Sequence, residues 1–145
     1  LPYGVLVDHF QHEVYENPEM TPAERKATWR KLEKMYNPQK DYSENAFLEQ
    51  GTLWYRQGHI FDTPFYYIDY TLAQVLAFQF WKRAIIDKDE NAWEDYLAIC
   101  EVGGTKSFLE LVKLANLKSP FEEGSLTDVI KAIDAELSAV DDSHL

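Results

Sequence analysis

PFYYIDYTLAQVLAFQFW, residues 64–81, carries apolar side chains at nearly every register, through Phe65, Tyr67, Ile68, Leu72, Val75, Leu76, Phe78, Phe80 and Trp81. Thr63-Pro64 in front of it is a helix start signal, and no strand pattern interrupts it. The stretch predicts a helix from Pro64 to about Ile86 that is apolar almost all round. Such a helix belongs in the middle of a protein. Asp69, Gln74 and Gln79 would each be costly in lipid, which argues against a membrane span.

Helical signals continue on both sides. Apolar residues at Val5, Leu6, Phe10, Val14 and Tyr15 share roughly one face over Val5 to Glu16, and Asn17-Pro18 stops that helix. Thr21-Pro22-Ala23-Glu24 is a capping box with proline at the first helical position; it opens a helix to about Tyr36, with Trp29, Leu32 and Tyr36 facing inward. Asp41 to Glu44 opens another short helical piece. Gly51 and Gly58 bracket a segment of under two turns, with backbone freedom that could let the His59 region close over a ligand. Asp87 to Glu90 reads as a second capping box, for a helix through Trp93, Tyr96, Leu97 and Cys100 that ends at Gly103-Gly104. Ser107 and Glu110 cap the next, and a last amphipathic helix holds Val129, Ile130, Ile133 and Leu137. Asp141 to Leu145 are expected to fray. The expected architecture is all-α: residues 1–145 form a single multi-helix unit around the central helix.

Composition narrows the function. A chain of 145 residues that is 46% apolar and 27% charged is ordered and globular. A net charge of −11 argues against nucleic acid as a partner, since binding a phosphate backbone needs an excess of Lys and Arg. Residues 59–145 hold 7 basic and 16 acidic residues against 7 and 9 in residues 1–58, an imbalance that reads as solvated surface. Cys100 is the only cysteine, so neither an internal disulfide nor a cysteine zinc cluster can form, and a cytoplasmic setting is expected. No signal peptide is legible, and an opening at Leu1-Pro2 that runs straight into a helix suggests a piece of a longer polypeptide.

The chemistry-bearing residues cluster in front of and within the central helix. His59 could donate to a substrate carbonyl or satisfy a neighbouring backbone group. Tyr66, Tyr67 and Tyr70 follow on neighbouring turns; a tyrosine stripe is usually core, but three hydroxyls near an imidazole can also serve a developing oxyanion. Asp69, in an otherwise apolar segment, is expected to need a partner such as Arg56 or a helix terminus. His9 with Glu13 and His12 with Glu16 lie one turn apart and could accept a divalent metal, yet the order His-x-x-His-Glu matches neither zinc-peptidase helix motif, and exposed polar residues are the simpler reading. No phosphate loop and no serine or cysteine triad can be assembled.

His59 with Pro64-Phe65-Tyr66-Tyr67-Ile68-Asp69-Tyr70-Thr71-Leu72-Ala73-Gln74, together with Leu1-Pro2-Tyr3-Gly4-Val5, Asp8-His9-Phe10-Gln11-His12 and Gly103-Gly104-Thr105-Lys106-Ser107-Phe108, resembles the C-terminal third of the oligoendopeptidase F group, zinc metallopeptidases related to thimet oligopeptidase. The resemblance implies a helical, two-lobed parent that hydrolyses short peptides. It implies zinc held by a His-Glu-x-x-His helix and a further glutamate, none of which matches a residue here. No metal is therefore expected on this chain, and alone it should be inactive, its partner being the zinc-binding remainder of the same polypeptide. By the same resemblance His59 binds substrate backbone and Tyr70 hydrogen-bonds the tetrahedral intermediate, with Tyr66 and Tyr67 in the same substrate-binding cluster. The thimet branch has a further tyrosine in the loop after its histidine; here that loop reads Ile60-Phe61-Asp62-Thr63, so the donor is absent or replaced from the helix. The competing reading is a helical binding or scaffolding module without chemistry, its aromatics all core.

Overall fold

The computed structural model describes residues 1–141 and 143, so the expected fraying falls partly on Asp142, His144 and Leu145, outside the described residues. Every regular element among the described residues is helical. The chain divides into two compact units, Leu1–Thr71 and Leu72–Leu145.

In the first unit, α1 (Pro2–Glu16) packs on α2 (Pro22–Tyr36). The Thr21 capping box forms: the Glu24 carboxylate accepts the Thr21 amide at 2.7 Å and the Thr21 hydroxyl at 2.8 Å, which holds the Glu24 carboxyl below its usual range, and Thr21 Oγ1 accepts the Glu24 amide at 3.3 Å. Leu6, Val7 and Phe10 from α1 and Trp29 and Leu32 from α2 build the core with Trp54 and Ile60, and Phe10 meets the rings of Trp29 and Trp54 at 5.1 Å each. Tyr36 reaches back to α1, its hydroxyl 2.9 Å from His9 Nδ1.

The loop after α2 is fastened by polar contacts. Buried Glu33 accepts from Tyr42 Oη at 2.9 Å and from Arg30 Nη1 at 3.3 Å, while Arg30 Nη2 also donates to Glu49 at 2.6 Å. Burial, then the Glu33 hydrogen bond, pushes the Tyr42 phenol up to about 12. Asp41 to Glu44 is a turn in which Asp41 Oδ1 accepts the Ser43 amide at 2.9 Å; the short helix α3 comes later, at Ala46–Glu49, capped by Asn45. A 3-10 turn, Leu53–Arg56, and the four-residue helix α4, His59–Asp62, lead to the central helix. Gly51 is not a free hinge: at φ +84° it lies so close to the Lys26 carbonyl that a Cβ would collide with it, and Gly58 adopts an ordinary helical φ of −53°.

The central helix α5 runs Ile68–Trp81 and passes through the division between the units. It starts four residues later than the sequence predicts. Thr63 to Tyr66 forms a turn, with the Tyr66 amide bonding the Thr63 carbonyl at 3.2 Å and Phe65 at φ +62°, a conformation a helix cannot include. At its other end the helix continues to Ile86 as predicted, but as a π-helical turn, Lys82–Ile86. Thr71, Val75 and Gln79, spaced four apart, are its buried line.

In the second unit, Gln79 satisfies both its amide atoms on the Lys118 backbone at 2.9 Å, and Arg83 bridges Asp89, Asp95 and the Ala115 carbonyl. Helix α6 is Ala92–Val102. The Asp87 capping box does not form, because the Asp87 carboxylate is taken by Lys82 Nζ at 2.7 and 2.8 Å across the π turn. Helix α7, Phe108–Leu114, does begin with Ser107 donating to the Glu110 carboxylate from its amide at 2.8 Å and its hydroxyl at 2.7 Å. Helix α8 is Thr127–Ser138, with Val129 buried but Leu137 68% exposed. No helix among the described residues is long and apolar enough to cross a membrane.

Candidate functional site

The site is positioned by the first unit. Helix α1 supplies Gln11, almost wholly buried, whose Nε2 donates to the Val7 carbonyl at 3.2 Å and whose Oε1 accepts the Phe65 amide at 2.8 Å. That bond holds the one strained residue of the segment. A non-glycine residue in the left-handed region costs roughly 1–2 kcal/mol, and here the buried acceptor and the contacts of the Phe65 ring with His12 and Tyr15, both at 5.0 Å, offset it. A second fixation comes from Gly4, buried on α1 at the place where Thr71 crosses: a Cβ there would run into Thr71 Oγ1. Between these fixed points stand the three tyrosines.

The four residues singled out by sequence come together. The His59 ring stands edge-on to Tyr67 at 5.0 Å and 87° and to Tyr70 at 5.8 Å and 88°, and lies parallel to Tyr66 at 6.3 Å and 3°. Tyr70 in turn meets Tyr66 at 5.4 Å and Tyr67 at 5.5 Å. The cluster is a mixed surface rather than core: Tyr70 is 52% and Tyr66 47% exposed, while His59 and Tyr67 are half-buried. Hydrogen bonding with Tyr66, then partial desolvation, then the charges of Tyr66, Tyr67 and Asp69, raise the Tyr70 phenol above its ordinary value. At neutral pH it is a proton-bearing donor. What this arrangement can do chemically is offer phenol and imidazole donors to a carbonyl or oxyanion lying against it.

Other sequence expectations fare differently. Asp69 is exposed and, among the described residues, makes no ion pair with Arg56 or any other cation. His9 spends Nδ1 on Tyr36 and sets Nε2 3.4 Å from Glu13, whereas His12 approaches Asp8 at 3.4 Å rather than Glu16. Among the described residues no three His, Cys, Asp or Glu side chains come together as metal ligands do. Three contributors escaped the sequence reading: Gln57, whose Nε2 lies 2.7 Å from His59 Nδ1; Tyr3, whose hydroxyl donates to Gln57 Oε1 at 2.9 Å; and Gln11. Gln11 did leave a signal, a polar side chain one turn after Val7 on an otherwise apolar face.

An all-α chain with a histidine-tyrosine surface in front of its central helix matches the family model of peptidase family M3 over residues 3–129. The chain belongs to that family. Among solved structures it is similar to one assigned as an oligoendopeptidase F, at 60% identity and a TM-score of 0.91, over 99% of this chain and 25% of that one. It is similar to PZ peptidase A in a structure with an inhibitor, at 58% identity and a TM-score of 0.90, over 98% and 25%. A third likeness, to a protein from Bacillus anthracis strain Ames assigned in the same way to oligoendopeptidase F, has 53% identity and a TM-score of 0.73, over 100% and 22%. The chain thus spans about a quarter of the length of the structures it matches. No curated protein matches it.

Proposed function

We propose that this chain is the C-terminal part of a zinc-dependent oligoendopeptidase that hydrolyses short peptides, and that it furnishes the wall of the cleft that binds substrate and stabilises charge. The observation that carries the reading is the pairing of His59 with a half-exposed Tyr70, ring centres 5.8 Å apart, in a member of a peptidase family. His59 holds a substrate carbonyl. Tyr70 donates to the oxyanion that develops when the peptide carbonyl becomes tetrahedral, and its raised phenol keeps the proton it donates. Tyr66 braces Tyr70, and Tyr67 backs the imidazole.

The described residues do not fit a zinc ion, since no set of three ligands converges and His9 is engaged by Tyr36. In this proposal the metal belongs to the remainder of the polypeptide, and the isolated chain is inactive. The parent works in the cytoplasm on short peptides, with neither nucleic acid nor membrane as partner. The test is a pair of assays on short, unstructured peptides: the full-length protein cleaves them and loses the activity to a chelator, while residues 1–145 alone do not. A full-length protein that cleaves none of them would leave the binding-module reading in its place.

A further inference from the structure

His59 is approached from behind by a polar chain that begins in α1. Tyr3 Oη donates to Gln57 Oε1 at 2.9 Å, and Gln57 Nε2 lies 2.7 Å from His59 Nδ1. A neutral imidazole carries one proton, and the partner of one nitrogen decides which nitrogen holds it. Here the decision is made by Tyr3. Its ring stands edge-on to Trp29 at 6.3 Å and to Tyr67 at 5.9 Å, so the hydroxyl has little freedom to turn elsewhere. Burial, followed by the nearby Tyr67, pushes the Tyr3 phenol up, so the hydroxyl keeps its proton at neutral pH. Gln57 Oε1 is the acceptor its proton finds among the described residues. With the carbonyl end of the carboxamide so occupied, the amino end must face His59. Nδ1 then accepts, and the ring proton rests on Nε2.

We infer that Gln57, oriented by Tyr3, is a positioning residue that locks His59 as the Nε2–H tautomer and presents that N–H, beside Tyr70, to a substrate carbonyl. The inference rests on the proposed role of His59 and adds the device that makes it a donor rather than an acceptor. Nε2 has no partner of its own among the described residues, as a group reserved for a ligand should not.

Two measurements on the full-length protein test it. Histidine-ring nitrogen NMR, with the His59 signals assigned by their loss in His59→Ala, should show Nδ1 as the lone-pair nitrogen and Nε2 as the protonated one; a proton on Nδ1 overturns the inference. In peptide hydrolysis, Gln57→Met and Tyr3→Phe should each lower kcat/KM, Gln57→Met on the order of 10- to 100-fold, as for a displaced positioning group. Neither should lower it further once His59 is alanine. An equal loss with and without His59 would mark Gln57 as merely structural and overturn the proposal. Loss in His59→Ala with a wild-type rate in Gln57→Met sinks the relay alone; a wild-type rate in His59→Ala sinks the reading of His59 itself.

Discussion

Gln11 Oε1 accepts the Phe65 backbone N–H at 2.8 Å, joining the middle of α1 to the turn that launches the tyrosine cluster. A buried carboxamide thereby sets where the central helix can begin, because it favours the left-handed Phe65 that separates the Pro64 turn from Ile68. Gln11→Leu keeps the volume and removes the acceptor. It should cost about 1–3 kcal/mol, the usual penalty for orphaning a buried donor, read as a lower denaturant midpoint at unchanged slope; an unchanged midpoint would show that the turn holds itself.

Gly4 and Thr71 make a second prediction, with a sign opposite to propensity. An alanine in place of a helical glycine ordinarily stabilises by about 0.5–1 kcal/mol. At Gly4 the new methyl would collide with Thr71 Oγ1, so Gly4→Ala should destabilise instead, by about 1–3 kcal/mol. Adding Thr71→Ala removes the colliding oxygen and should recover part of the loss, leaving the Thr71 Cβ at 3.2 Å still tight. Simple additivity in thermal unfolding of the double variant would show that the two residues do not meet.

The Tyr42 phenol gives a pH signature. Its folded pKa is raised from 10.0 to about 12, so the folded state holds this proton more tightly than the unfolded chain. Stability from this group is fully present below pH 10 and lost as pH climbs toward 12. Tyr42→Phe should flatten that part of the stability-pH curve, measured by urea unfolding across the alkaline range. An identical alkaline slope in the variant would place the titrating group elsewhere.

Glu33, only 1% exposed in the same network, accepts from both Arg30 and Tyr42. Glu33→Leu takes a buried acceptor from Tyr42 and from the largely buried Arg30, which keeps its Glu49 pair, and a cost of about 1–3 kcal/mol is expected from orphaning buried donors. Restoring apolar balance with Arg30→Met in the same chain should return much of that stability. A double variant no better than Glu33→Leu would argue that the pair holds the loop by shape rather than by charge.

Much of this architecture was legible because each rule acts locally. The Thr21 and Ser107 boxes need only residues within one turn, and both signals mark real helix starts. Where the reading slipped, a distant partner had intervened. Pro64 looks like a first helical residue until Gln11 captures the Phe65 amide, and Asp87 looks like a cap until Lys82 takes its carboxylate. The all-round apolarity of residues 64–81 predicted complete enclosure, yet only the line of Thr71, Val75 and Gln79 is deeply buried. The histidine and tyrosines of the candidate site were visible by type and spacing. Their support was not, since nothing local connects Tyr3 with Gln57 or Gln11 with Phe65.

The central claim is that the Tyr70 hydroxyl meets the substrate's developing negative charge. Turnover by the full-length protein carrying Tyr70→Phe tests it most directly, read beside zinc content and melting temperature in the same preparation. A fall in kcat of about 10²- to 10³-fold, with metal and melting unchanged, is the expected result. Turnover at the wild-type rate would contradict it.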